Sequence, residues 1–328
     1  MRNNIAIIGA GLSGVVLLRA LAQYANVTLF EKARGIGGRM STRHAAPYHF
    51  DHGAPCFTAH SQAFLDFLRP YRERGIVTEW AGQGISVDTE GKIHSNYALS
   101  RLVASPTMNA LCKELAFDLP VMLNTEVAPL LERSADGWHI YTNNGSFLGV
   151  YDWVISTAPP AQTARLFSPY LPAEANIHQT RLNPSYALMV GLARPWDQDW
   201  YFAKVRDGRR IKWITVNSSK PGRNSATTSL VAYSHHHWAQ SHLEMKCADV
   251  KAQLTEQFAQ VTGIDTSIAD YVSLHRWRYA TVHGLSQREP YIDRQHRLAC
   301  VGDWCHTSNI EHVWYAAMEL VRRLLPSL

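Results

Sequence analysis

Short apolar runs open the chain. Ile5-Ala6-Ile7-Ile8 is a continuous run of strand length, a glycine-rich turn and an apolar helical stretch follow, and a second run, Val27-Thr28-Leu29-Phe30, comes next. Apolar runs without alternation, bounded by turn residues, read as strands buried on both faces of a parallel sheet. The first thirty residues therefore predict strand, turn, helix, strand. Farther along, the pattern predicts an amphipathic helix over 63–74, a helix over 106–116, and strands near 121–133, 138–142 and 153–157, with Asn144-Gly145 as a hairpin turn. Then come β-rich stretches at 186–192, 211–216 and 229–233 and a helix at 248–262. A last buried strand at Leu298-Ala299-Cys300-Val301 precedes a helix over 310–325.

The turn between the first two apolar runs is Gly9-Ala10-Gly11-Leu12-Ser13-Gly14, and Glu31 ends the second run. This is a dinucleotide-binding fingerprint in its proper setting. Gly9 permits the tight turn, Gly11 leaves room for a pyrophosphate to reach the backbone, and Gly14 lets the helix lie close on the strand. The helix N-terminus offers free N–H groups and a positive dipole end to phosphate. Glu31 can accept from ribose hydroxyls. The segment Gly35-Ile36-Gly37-Gly38-Arg39 supplies a second glycine loop with an arginine that can neutralise phosphate. A nicotinamide dehydrogenase does not need it. Near residue 300, strand, Gly302-Asp303 and helix again present a helix start to a charged group.

Taken together, Gly9 to Gly14, RGIGGRMS at Arg34 to Ser41, Asp51-His52-Gly53-Ala54 with Phe57-Thr58, His275-Arg276-Trp277-Arg278-Tyr279-Ala280 and Gly302-Asp303-Trp304-Cys305 resemble the renalase family, its bacterial members in particular, within the flavin amine oxidase superfamily. The resemblance implies noncovalent FAD. It also implies oxidation of an isomeric dihydronicotinamide dinucleotide by hydride transfer to flavin N5, with O2 as acceptor. It assigns Ser13, Glu31, Arg39 and Asp303 to FAD and sets Val127 beside the adenine. Leu12, Lys32, Gly38, Ala54, Pro55, Gly302 and Ile310 complete the expected cofactor set. The chain departs from the family's pattern at Pro55-Cys56, at Ser105-Pro106-Thr107-Met108, and at the start of the last helix, where Asn309 replaces an arginine and His312 a glycine. An amine oxidase or desaturase acting on a small specialised metabolite, and a non-catalytic FAD-binding protein, therefore stand as alternatives.

The expected architecture is α/β. A Rossmann-type FAD-binding domain (glutathione-reductase/p-hydroxybenzoate-hydroxylase-like) is assembled from 1–60, 105–165 and 295–328, and a β-rich α+β substrate domain from 61–104 and 166–294. Pro159-Pro160 is read as a crossing between the two. The chain's 328 residues suffice for two domains, and 46% hydrophobic with 18% charged residues is a globular composition. The net charge of +5 is scattered, which argues against nucleic acid and suits an anionic small-molecule substrate. No leader or membrane-spanning run is read, and five unpaired-looking cysteines suggest a reducing compartment, so a cytoplasmic monomer or weak dimer is expected.

For the chemistry, His275, Trp277 and Tyr279 share one face of a strand, with Arg276 and Arg278 on the other. That face can line the flavin pocket, and core packing is the competing role for Trp277 and Tyr279. His312 and Trp314 on the last helix are the other pocket candidates. His235-His236-His237 is read as strand, which points neighbouring rings to opposite sides and argues against a metal site. Lys204, Lys212 and Lys220 fall in the substrate domain without a motif.

Overall fold

The computed structural model describes residues 2–172, 175, 177–284 and 288–328. The chain forms two compact units. The first comprises Met1–Arg39, Cys112–Leu182 and Thr281–Leu328, and the second Met40–Leu111 and Asn183–Ala280.

The first unit holds a six-stranded sheet in the order Tyr291–Asp293, Leu298–Cys300, Trp153–Ser156, Asn4–Ile8, Asn26–Phe30, Val121–Met122. All neighbours are parallel except the antiparallel edge strand Tyr291–Asp293. Ile5, Ile7, Val154, Ile155 and Ala299 have no exposure at all, as the unbroken apolar runs require for strands covered on both faces. Helix Leu12–Leu21 is apolar along most of its length and packs against helix Ile310–Leu324. A small antiparallel sheet, Phe147–Tyr151, Gly137–Tyr141 and Arg133–Ser134, carries the Asn144-Gly145 turn, where Gly145 adopts φ +84°. The strand expected over 121–133 is broken. Asn124 turns the chain at φ +52°, Pro129 has no N–H for a ladder, and between the two short strands Val127 makes an isolated bridge to Thr142. The helix expected over 106–116 is confined to Ala110–Leu115, after a turn closed by Ala110 N–H donating to Thr107 C=O.

The second unit is built on a seven-stranded sheet ordered Tyr271–Val282, Leu182–Leu192, Thr228–Ser234, Ile211–Val216, Phe202–Val205, Val77–Val87, Ile93–Ala104. Both faces are covered, with period two. Tyr186, Leu188, Val190, Leu230 and Ala232 pack under helix Cys247–Thr262, which presents Val250, Leu254, Phe258 and Val261. Ala187, Met189, Val231 and Tyr233 pack under Tyr48 and Phe50 of the hairpin Arg43–Ala45/Tyr48–Phe50. The long hairpin Val77–Val87/Ile93–Ala104 carries no plain alternation in sequence. Its glycines Gly82 and Gly84 leave space that the rings of Tyr201 and Tyr97 occupy, 2.3 Å from where each added Cβ would stand.

The boundaries differ from those read in sequence. Residues 40–60 and 105–111 lie in the second unit, because the hairpin after residue 42 packs on that unit's sheet. Residues 166–182 and 281–294 lie in the first, where Leu130 N–H bonds Leu166 C=O and Tyr291–Asp293 pairs with Leu298–Cys300. Pro159-Pro160 is not a crossing. Pro159 caps helix Pro160–Phe167 inside the first unit, and a proline in a first turn sacrifices no hydrogen bond. His235 likewise caps helix His236–Ser241, so the three histidines start a helix and do not form a strand. No helix among the described residues is long and apolar enough to cross a membrane.

Candidate active site

In the first unit the glycine turn is shaped by three different constraints. Gly9 adopts φ +107°, and Thr157 Oγ1 lies 2.7 Å from where its Cβ would be. A Cβ on Gly14 would stand 1.9 Å from Gly9 O. Around Gly11, its chain neighbours aside, no atom of the described residues lies within 4 Å of an added Cβ. The fold fills two of the glycine positions and leaves the third open, at the start of a helix whose first-turn N–H groups have no intrahelical acceptor. Leu12 and Ser13 are buried in that turn. Glu31 sits against it, its two carboxylate oxygens accepting from Ala10 N–H and Ala33 N–H, both at 2.7 Å.

The second glycine loop folds onto the first. Gly37 N–H donates to Ala10 C=O at 2.8 Å, and Gly38, at φ +52°, has Gly11 Cα 3.1 Å from where its Cβ would stand. Arg39 then makes a two-pronged ion pair with Asp303, at 2.6 and 2.8 Å. Burial alone would raise the Asp303 carboxyl, but Arg39 and the hydroxyl of Ser308 hold it below its ordinary value. Gly302 precedes it, and Ile310 opens the last helix, buried. Val127 is buried, and Lys32 Nζ donates to Gln162 Oε1 at 3.4 Å. The three stretches read from sequence, around residues 10, 38 and 303, thus come together within this unit. Their open glycine, helix start and arginine suit a dinucleotide pyrophosphate. A Glu31→Gln change turns an amide N–H toward one of the two backbone donors. The expected result is about tenfold weaker dinucleotide binding, from loss of roughly 1–2 kcal/mol, read by fluorescence titration.

Ala54 and Pro55 belong to the second unit, beside a cluster that sequence reasoning missed. Asp51 has no exposure, yet its Oδ2 accepts from Lys220 Nζ at 3.0 Å and Arg223 Nη2 at 2.7 Å, both side chains buried. Its Oδ1 accepts from Thr42 Oγ1 at 2.6 Å and Met108 N–H at 3.2 Å. Burial would raise this carboxyl, but the two cations and the hydroxyl outweigh it and hold the group ionised, well below the usual carboxylate range. The next residue, His52, stacks on Trp277 with centroids 5.3 Å apart and meets His275 edge-on at 4.7 Å. Trp277 Nε1 donates to His52 C=O at 2.8 Å, and Arg43 Nη2 to His275 Nδ1 at 3.4 Å. Arg276 and Arg278 point the other way, to Leu243 C=O and Glu244, as strand alternation predicts. Tyr279 is half-buried.

Both imidazoles are held neutral. Burial first, then His275 and Arg43 nearby, bring His52 down to about 4, and burial with Arg43 does the same for His275. Because folding lowers these values, the unfolded chain takes up protons first. The associated stability is complete above about pH 6.5 and is lost as the pH falls toward 4. For His52 the loss is on the order of 3 kcal/mol, at about 1.4 kcal/mol per pH unit. Melting temperatures from pH 7 to 4.5 are expected to fall less steeply for His52→Gln than for the wild type.

On the last helix of the first unit, Asn309 caps by accepting from Glu311 N–H at 2.9 Å. His312 is exposed and hydrogen-bonds Thr307 Oγ1 at 2.6 Å, and Trp314 is buried.

Residues 7–71 match the NAD(P)-binding Rossmann-like domain family, and residues 93–325 the flavin containing amine oxidoreductase family. Among solved structures, a provisionally assigned protoporphyrinogen oxidase from Exiguobacterium sp. 255-15 is similar at a TM-score of 0.75 and 12% identity, over 100% of both chains. Wild-type putrescine oxidase bound to putrescine is similar at 0.74 and 13%, over 99% of both. An oxidoreductase from Methanosarcina mazei is similar at 0.70 and 13%, over 97% of this chain and 100% of its own. At such identities the likeness shows the fold. The family match spans well over half of the sequence and sets aside a non-catalytic FAD carrier. The chain belongs to the flavin containing amine oxidoreductase family, as an FAD-dependent oxidoreductase.

Proposed function

We propose that the protein is a renalase-like oxidase that takes an isomeric dihydronicotinamide dinucleotide as substrate and O2 as acceptor. The observation that carries this reading is the group His52, Trp277 and His275 with Arg43 against it. Its half-buried members Trp277 and His275 carry ring surface, His52 is buried behind them, both imidazoles are uncharged, and Arg43 adds one guanidinium. Such a surface suits a planar ring whose molecule carries anionic groups, and a guanidinium repels a free ammonium. FAD, when bound, supplies the redox chemistry. The chain's own residues bind and orient: the glycine turn and Arg39 the cofactor phosphates, and the ring group the substrate, with the neutral histidines keeping their protonation state through the physiological range. A cytoplasmic monomer or weak dimer goes with this reading.

The test is anaerobic titration of the FAD-loaded protein, following absorbance near about 450 nm, where oxidised flavin absorbs. Bleaching by a 2- or 6-dihydronicotinamide dinucleotide, with no response to amines, is expected. The second reading is an amine oxidase or desaturase of a small metabolite. It draws on Asn309, whose amide oxygen caps the helix where the renalase resemblance sets an arginine. Turnover of a small amine without bleaching by any nicotinamide would establish it instead.

A further inference from the structure

We propose that Asp51 is a positioning residue: gripped by Lys220 and Arg223, it locks the Asp51-His52 backbone and so holds the His52, Trp277 and His275 rings in the arrangement that receives substrate. The inference rests on the proposed role of those rings. Every polar group of the dipeptide's frame is engaged. The carboxylate takes four donors, from Thr42, Met108, Lys220 and Arg223. The Asp51 N–H donates to Asn217 Oδ1 at 3.3 Å, the Asp51 carbonyl accepts from the Tyr233 hydroxyl, and the His52 carbonyl accepts from Trp277. The grips are themselves anchored. Lys220 Nζ also donates to Asn217 Oδ1 at 2.8 Å, and Arg223 Nη1 to Ala104 and Pro221 carbonyls at 2.6 and 2.8 Å.

Two other roles fit worse. With four donors and no exposure, the carboxylate has neither a free lone pair nor a solvent path for acid–base work. As a staple for stability alone, a buried ion cluster does no better than apolar residues of the same volume. What an apolar replacement cannot do is orient one peptide from both ends.

Two variants separate placement from folding. Tyr233→Phe removes one hydroxyl from the frame. The double variant Asp51→Asn/Lys220→Met removes one negative and one positive charge and leaves the net buried charge as it was. Both are made as FAD-loaded protein and checked by thermal melting. In each, histidine titration by NMR is expected to move His52 and His275 from about 4 toward the ordinary 6.5 as the rings loosen and gain water. The near-ultraviolet circular dichroism of Trp277 is expected to weaken. For the dihydronicotinamide that bleaches the wild type, KM is expected to rise about tenfold with kcat within about twofold, the split produced by lost substrate placement. Folded variants with wild-type ring titration and wild-type dichroism overturn the proposal. If no dihydronicotinamide bleaches the wild type, the functional reading falls, and the ring titration alone decides whether Asp51 positions the rings.

Discussion

Asp51→Ala is expected to lose roughly 3–5 kcal/mol of stability, because it leaves Lys220 and Arg223 buried without a counter-charge. That is a large share of the roughly 5–15 kcal/mol by which a typical domain is stable. Urea unfolding followed by circular dichroism reads it directly. The control is the triple variant Asp51→Leu/Lys220→Met/Arg223→Met. It removes all three charges and is expected to recover to near wild-type stability, since apolar groups of similar volume replace such clusters at little loss. The pH dependence has a definite sign. The folded carboxyl is held below its unfolded value, so its contribution is complete above about pH 4 and disappears as the pH falls further. An Asp51→Ala protein as stable as the wild type would mean that the cluster is not formed in solution.

The second large effect separates two glycines of one motif. Gly14→Ala would place a Cβ 1.9 Å from the backbone oxygen of Gly9, and neither can yield without opening the turn. The expected product is destabilised by about 3 kcal/mol or more and colourless on purification. Gly11→Ala meets no atom of the described residues within 4 Å beyond its chain neighbours, and its backbone (φ −71°, ψ 178°) is one that alanine adopts freely. Its melting temperature without flavin is expected to match that of the flavin-free wild type. Flavin affinity is expected to fall about a hundredfold, as a methyl group intrudes where the pyrophosphate approaches at a price of roughly 2–3 kcal/mol. The ratio of flavin to protein absorbance after gel filtration, with the melting curve, measures both. A Gly11→Ala protein that keeps its flavin would place the pyrophosphate elsewhere.

The shape of the glycine turn was legible because its causes are local. Gly9, Gly14 and Glu31 act on one another within a single strand–helix–strand unit, and the loop at Gly37 and Gly38 returns to that turn after a few residues. The parallel sheet was legible for a similar reason, since strands buried on both faces are written as plain apolar runs. The Asp51 cluster was not. Lys220 and Arg223 lie 169 and 172 residues from their partner, and a lysine in sequence carries no sign that it is buried. His52 stands within a motif, but its stacking on Trp277 spans 225 residues. The strand around Gly82 and Gly84 was hidden because the rings that complete it belong to Tyr201 and Tyr97. The unit boundaries were misread where hairpin packing, not composition, decides them.

The order of strands in the first unit has a consequence for biosynthesis. Trp153–Ser156 lies between Asn4–Ile8 and Leu298–Cys300, so on the ribosome its outer edge stays bare until residue 300 has emerged. Arg39 waits equally long for Asp303. A nascent chain halted anywhere earlier presents an open, apolar sheet edge of the kind that recruits chaperones or aggregates.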